Sequence, residues 1–264
     1  MERIEKNLVT GICRLCLNEG PLQKSHILPK ALYRYLRTSS GSDPVSVTRG
    51  GGIHQSSKQV TAYLLCSACE QRLNDNGERW MLQQGYRGRH RFRLRDALLR
   101  ATPFGPMQDG IAFSATTIPE LDVTQIAYYA SSVFWRASFC PLSGGEPHIT
   151  LGKRYESEFR EYLAGRTGFP SSAALVVQVS NSDAPLQVFS FPFSQRHADG
   201  FYQHSYFAQG VMFWLFVGGR LMPKLDRICI VRSKEQIIFL SDRLEEIVQS
   251  GSIKLLADAL SRTR

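Results

Sequence analysis

At 264 residues, 43% hydrophobic and 21% charged, the chain has the composition of one or two globular domains, which excludes wholesale disorder. Its formal charge of +9 is unevenly placed: residues 1–100 hold 17 basic and 8 acidic side chains, while residues 101–264 hold 15 of each. The longest apolar stretch, Val211 to Val217, falls far short of the roughly 18 to 20 residues a membrane-spanning helix needs, and MERIEKNLVT lacks the apolar core of a signal peptide. A soluble, cytoplasmic protein without membrane contact is expected.

Residues 1 to about 80 carry two cysteine pairs around a polar, Gly/Ser-rich middle, 38–58, which reads as loop and includes His54. Residues 79–100 form a bridge with seven arginines, in which Arg87, Arg89, Arg91, Arg93 and Arg95 alternate with small or apolar residues. Such alternation predicts a strand. The turn-rich ATPFGPMQDG at 101–110 reads as a linker. Beyond it, helical spacing of Ile126, Tyr129 and Val133 predicts a largely buried helix within 118–140, and Lys153 to Leu163 predicts a second helix closed by Gly165. Short β-rich runs follow at Ala174–Val179, Leu186–Phe191, Tyr206–Val217, Arg227–Val231 and Gln236–Leu240. A final helix is expected over Ser241–Leu260, with Asp242 and Glu245 in a capping arrangement. The expected fold class is α+β, divided into a first domain, 1–100, and a second α+β domain, 111–264.

Six cysteines occur. Cys140 and Cys229 stand alone in apolar surroundings, and the other four form two C-x-x-C pairs, Cys13/Cys16 and Cys66/Cys69. Without a secretion signal, this pattern favours metal over disulfides. Four thiolates match a closed, structural, tetrahedral zinc site, so any chemistry must come from residues nearby. The 49 residues between the pairs exceed the separation in common zinc ribbons and make the intervening segment a substantial insertion.

Ten residues beyond Cys16 comes Ser25-His26-Ile27-Leu28-Pro29, and directly after Cys69 comes Glu70-Gln71-Arg72-Leu73-Asn74. The order CRLC, SHILP, LLCSACEQRLN resembles the HNH endonuclease family over about residues 10–80. The resemblance implies an N-terminal ββα-metal, treble-clef-like zinc module in which a β-hairpin and a helix grip one catalytic divalent ion beside the structural zinc. It matches His26 to the general base that takes a proton from the attacking water, and Glu70 to the helix region supplying a metal ligand. Two positions depart from the family pattern: Ser25 stands where an aspartate often ligates the metal, and Thr61 where an asparagine is usual. The chemistry is also reasonable on physical grounds, since an imidazole with a pKa near about 6.5 can activate water and Mg²⁺ or Mn²⁺ can offset charge developing on a phosphodiester. On a helix following Cys69, Glu70 and Asn74 lie at i and i+4 and could share an ion, with Ser25 a weak third ligand and Glu78 a turn further away.

Arginine forks suit phosphate oxygens, so Arg87, Arg89, Arg91, Arg93 and Arg95 are candidate nucleic-acid contacts; Tyr86 and Phe92, interleaved in the arginine-rich stretch, either stack on bases or pack inward. The neutral second domain shows no phosphate loop or catalytic cluster, and His90, His148, His197 and His204 are singletons. By analogy with bacterial defence systems, that domain is expected to sense a trigger ligand, form a homo-oligomer or position the substrate. The expectation is therefore a metal-dependent endonuclease acting on DNA, RNA remaining open, with Zn²⁺ structural and Mg²⁺ or Mn²⁺ catalytic. The alternatives are a non-catalytic nucleic-acid-binding zinc protein and a zinc-stabilised protein-interaction scaffold.

Overall fold

The computed structural model describes residues 9–36, 45–47, 53–55, 59–88, 91–107, 109–140, 149–183, 188–197, 200–218, 221, 223 and 225–249. Arg89, His90, His148 and the C-terminal part of the expected last helix lie outside the described residues. In chain order the first elements are β1 (Thr10–Ile12), β2 (Glu19–Pro21), β3 (Gln23–His26), α1 (Lys30–Tyr35), β4 (Val45–Val47), β5 (Ile53–Gln55), β6 (Thr61–Leu65) and α2 (Ser67–Leu73). A π-helical turn, Asn74–Glu78, joins α2 to α3 (Arg79–Gln84), and α4 (Arg93–Arg100) follows. Strands β1 and β2 form one antiparallel hairpin, and β3 pairs antiparallel with β6, setting His26 opposite Thr61. The polar middle read as loop contains the β4–β5 antiparallel pair, with His54 in β5.

The expected strand through the arginines does not form. The chain turns at Gly88, with φ at +74°, and then enters α4. Leu94, Ala97 and Leu98 recur at helical spacing and are buried on one face, with Phe92 buried just ahead of them, so the apolar positions outweigh the alternation of the charged ones.

The second half comprises β7 (Gly105–Met107), β8 (Gly110–Ser114), α5 (Val123–Ala137), α6 (Gly152–Leu163), β9 (Ala173–Ser180), β10 (Val188–Phe189), β11 (Phe193–Arg196), β12 (Tyr202–Ala208), β13 (Val211–Val217), α7 (Leu225–Ile228), β14 (Ile237–Ser241) and α8 (Leu244–Gln249). Seven strands form one sheet in the order β11-β12-β13-β9-β14-β8-β7, antiparallel except between β9 and β14. The fold class is α+β. The segment read as a linker, 101–110, contributes the edge strand β7 and the first residue of β8. The run Tyr206–Val217 splits into two strands at Gln209-Gly210, where both residues have positive φ, as a two-residue type I′ hairpin requires. Arg227–Val231 is not a strand: Leu225 and Cys229, one helical turn apart, are both buried in a cluster with Trp214 and Phe216, and the chain forms α7 there. Asp242 and Glu245 do not cap α8; Asp242 accepts from Asn181 Nδ2 at 2.6 Å and Glu245 accepts the Ser180 hydroxyl. Strand β10 joins β4 in parallel, tying the second half of the chain to the first.

Helix α5 positions the site. Asp122 caps it by accepting from Gln125 N at 3.0 Å, and every residue from Ile126 to Ala137 is buried. One side packs on the sheet, where Tyr129 meets the Phe213 ring at 5.7 Å and Phe134 meets Tyr206 at 5.0 Å. Another side meets the π turn so closely that a Cβ at Gly77 would lie 2.7 Å from Tyr129 N. Only glycine fits this approach. Helix α6 ends as its sequence predicts, with Gly165 at φ +75° and its N–H donating to Tyr162 O at 2.9 Å. One buried cluster runs from Cys13 and Leu28 through Leu73, Phe134 and Leu240, and a second lies on the far face of the sheet beneath α7 and α8. Alternate residues of β9 and β13 feed the two clusters, because both sheet faces are covered. Among the described residues no helix is long and apolar enough to cross a membrane.

Candidate functional site

The turn between β1 and β2 places the first cysteine pair. Cys13 N donates to Asn18 O at 2.9 Å, and Leu17, whose N–H donates to Cys13 O, takes a left-handed φ of 65° to close it. Arg14 N donates to Leu64 O at 2.9 Å, which lays this turn against the end of β6. The second pair opens α2: Cys66 occupies the N-cap and Cys69 the first turn. The four sulfurs lie within 4.8 Å of one another, Cys16 and Cys66 at 3.9 Å. A tetrahedral ion with Zn–S bonds of about 2.3 Å separates its sulfurs by about 3.8 Å, so the four cysteines could hold a metal such as zinc. Although burial opposes it, N–H groups near Cys13, including Cys66 N at 3.3 Å from Sγ, hold this thiol down to about 7. All six cysteines are free, and Cys140 and Cys229 are buried apart from the cluster.

Beside the cysteines lies a polar cleft of about 960 Å³. Strand β3 contributes Lys24 and His26, which share a face because alternate strand residues point the same way. Helix α2 contributes Glu70 from its first turn, and Asn74 and Glu78 come from the two ends of the π turn. A straight helix is expected to put Glu78 a turn beyond Glu70 and Asn74. Glu78 lines the same cleft from the far end of the π turn, a kind of turn frequent at functional sites.

His26 is half-buried. Burial, reinforced by the charge of Arg136, lowers its pKa below the ordinary imidazole value against the opposing pull of Gln59 and Glu70. The ring is therefore mainly neutral at pH 7, the state a proton acceptor needs. Ser25, whose hydroxyl was a candidate metal ligand, is buried outside the lining of the cleft and donates to Glu70 Oε1. It acts on the site by orienting Glu70. Asn74 lines the cleft, with its amide donating to Asp75 Oδ1 at 3.4 Å.

The sequence reading missed Arg136. Its guanidinium, from the middle of the second half, pairs with the Glu78 carboxylate, while its Nε donates to Ser132 O at 3.2 Å. The side chains of Arg136 and Glu78 are 2% and 12% exposed. Burial works against the arginine's charge, but Glu78 and Glu70 hold it protonated. The only sequence signal was one cation inside the apolar run AYYASSVFWRASF.

The arginine candidates do not converge on the cleft's lining. Arg87 stacks over Tyr35 at 4.5 Å and donates to its hydroxyl at 3.1 Å. Arg95 pairs with Asp183 at 2.5 Å and donates to Asn181 O. Arg91 and Arg93 are exposed, and Arg89 lies outside the described residues. Tyr86 and Phe92 pack inward, edge to face, with centroids 6.1 Å apart. No family model, curated protein or solved structure matches the chain.

Proposed function

We propose that the chain is a metal-dependent endonuclease that hydrolyses phosphodiester bonds in DNA, built on a zinc-stapled ββα unit of HNH type. One observation carries this reading: His26 and Glu70, from a strand and the helix that follows its partner strand, face one cleft next to four clustered cysteines. The antiparallel pairing of β3 with β6, and α2 following β6, support this reading. Zinc on the four thiolates is structural in this account, since such a set leaves no open coordination position.

The remaining donors fit a hard divalent ion. Apart from the cysteines, no group of three or more Asp, Glu, Cys or His side chains among the described residues is close enough to share an ion. One carboxylate and one amide oxygen suffice for Mg²⁺ or Mn²⁺, because such ions keep several waters and take further oxygens from the phosphate itself. Glu70 and Asn74 would hold it, and when bound it offsets negative charge on the phosphodiester. Neutral His26 accepts the proton of the attacking water. Ser25 fixes the Glu70 carboxylate by donating to one of its oxygens, and Arg136 removes Glu78 from competition by pairing with it.

The test is incubation of zinc-replete protein with supercoiled plasmid. Nicking that requires added Mg²⁺ or Mn²⁺ is the expected result. Tight binding without any cutting, across duplex DNA, single strands and RNA, would replace the nuclease with a nucleic-acid-binding module.

A further inference from the structure

The sequence places the phosphate grip on the arginines between 87 and 95, but two of these are engaged elsewhere. Arg87 rests on Tyr35, and Arg95 is occupied by Asp183, Asp96 and a backbone carbonyl. A different set of cations surrounds His26. Lys24 lies two residues before it on β3, on the same strand face, and both line the cleft. The cleft shares Lys30 and Gln59 with an adjoining depression of about 500 Å³, lined also by Ala31, Tyr33 and Arg34. Lys30 and Arg34 are four residues apart on α1 and therefore share one side of that helix. Lys24, Lys30 and Arg34 are exposed, and none forms an ion pair with a described residue.

We infer that this continuous groove is the seat of the substrate strand, with Lys24, Lys30 and Arg34 contacting its phosphate oxygens and His26 facing the bond to be cut. The inference rests on the nuclease reading of the cleft and adds the path of the bound strand to it. The charge pattern gives the path its direction. The carboxylates Glu70 and Glu78 stand on the α2 and π-turn wall, Glu78 balanced by Arg136, whereas the β3 and α1 wall presents cations without counter-ions among the described residues. A polyanionic backbone follows the cationic wall out of the cleft, past Lys30 to Arg34. Exposed lysines and an arginine with no intramolecular duty are suited to phosphate contacts, because pairing with DNA breaks no existing salt bridge and releases condensed counter-ions.

Counter-ion release supplies the test. DNA affinity of the full-length zinc-loaded protein is measured against salt concentration, with no divalent ion added so that the strand stays intact. The proteins compared are the wild type, the triple variant Lys24→Gln/Lys30→Gln/Arg34→Gln, and the double variant Arg87→Gln/Arg93→Gln. All five side chains can be replaced without emptying the core, and equal unfolding midpoints confirm that the variants fold. The slope of log K against log salt should become shallower by about 2 to 3 in the triple variant, from three contacts at roughly 0.7 to 0.9 each. Each single variant should lose about 1, and the double variant should stay near wild type. A triple variant that binds with wild-type slope and affinity overturns the inference while leaving the nuclease reading intact. A wild type with no salt-dependent affinity for duplex or single strands overturns both.

Discussion

Replacing Arg136 with Met keeps an unbranched apolar stem but removes the guanidinium and strands the Glu78 carboxylate between α5 and the π turn. The two side chains are 2% and 12% exposed, so neither charge is solvated well enough to be treated as a surface ion pair, for which about 0 to 1 kcal/mol is usual. Breaking a buried pair by removing one partner typically costs about 3–5 kcal/mol. Set against a total stability of about 5–15 kcal/mol, that is enough to shift a urea midpoint by more than a molar unit at a slope of about 1–3 kcal/mol per molar. Glu78→Leu alone should cost a comparable amount by stranding the guanidinium. The double variant Arg136→Met/Glu78→Leu should cost clearly less than the sum of the two, because it removes both charges together. Urea unfolding of the zinc-replete chain, followed by circular dichroism, measures all three. A cost below about 1 kcal/mol for Arg136→Met, or strict additivity in the double variant, would refute the idea that this pair locks the cleft onto α5.

Gly77→Ala should cost about 1–3 kcal/mol by overpacking against backbone, since the new Cβ would lie 2.7 Å from Tyr129 N and 2.9 Å from its Cα. Gly20→Ala, where nothing lies within 4 Å, should be nearly neutral in the same urea unfolding measurement. Cys13→Ser or chelation should release one zinc per chain by metal analysis and destabilise the β1–β2 turn and the start of α2 by several kcal/mol; an unchanged unfolding midpoint without zinc would contradict a structural role. His204 is buried, with Nδ1 against Ser194 Oγ at 2.7 Å, and burial lowers its pKa from 6.5 to about 3. The folded chain keeps it neutral while the unfolded chain binds a proton, so its contribution is whole above pH 6.5 and is lost as pH falls from 6.5 toward 3, by up to about 1.4 kcal/mol per unit. His204→Gln should flatten that part of the pH–stability curve, and identical slopes would sink the assignment.

What the sequence disclosed followed the range of its signals. The cysteine pairs could be recognised because metal geometry demands two sulfurs from one turn, and the structure brings all four together. Helices α5 and α6 announced themselves through buried periodicity and the glycine after Leu163. The arginine segment misled, because alternation of charged side chains says nothing about the apolar face formed by Leu94, Ala97 and Leu98. No residue pattern marks the π turn at Asn74–Glu78; Gly77 points to it only through its contact with α5. Arg136 was missed for a more general reason. Its partner is 58 positions away, and the pairing leaves no local trace beyond one cation in an apolar run. The lysines of the groove were overlooked because clusters in sequence draw attention that scattered cations do not, although Lys24 and His26 already shared a strand face.

The most direct measurement is single-turnover cleavage of DNA by His26→Ala beside wild type, in Mg²⁺ or Mn²⁺, with zinc content, unfolding midpoint and DNA affinity determined on the same preparations. With those three properties unchanged, loss of the proposed general base should slow cleavage by about 10² to 10⁴-fold. Cleavage by His26→Ala within a few-fold of wild type would contradict the account at its centre.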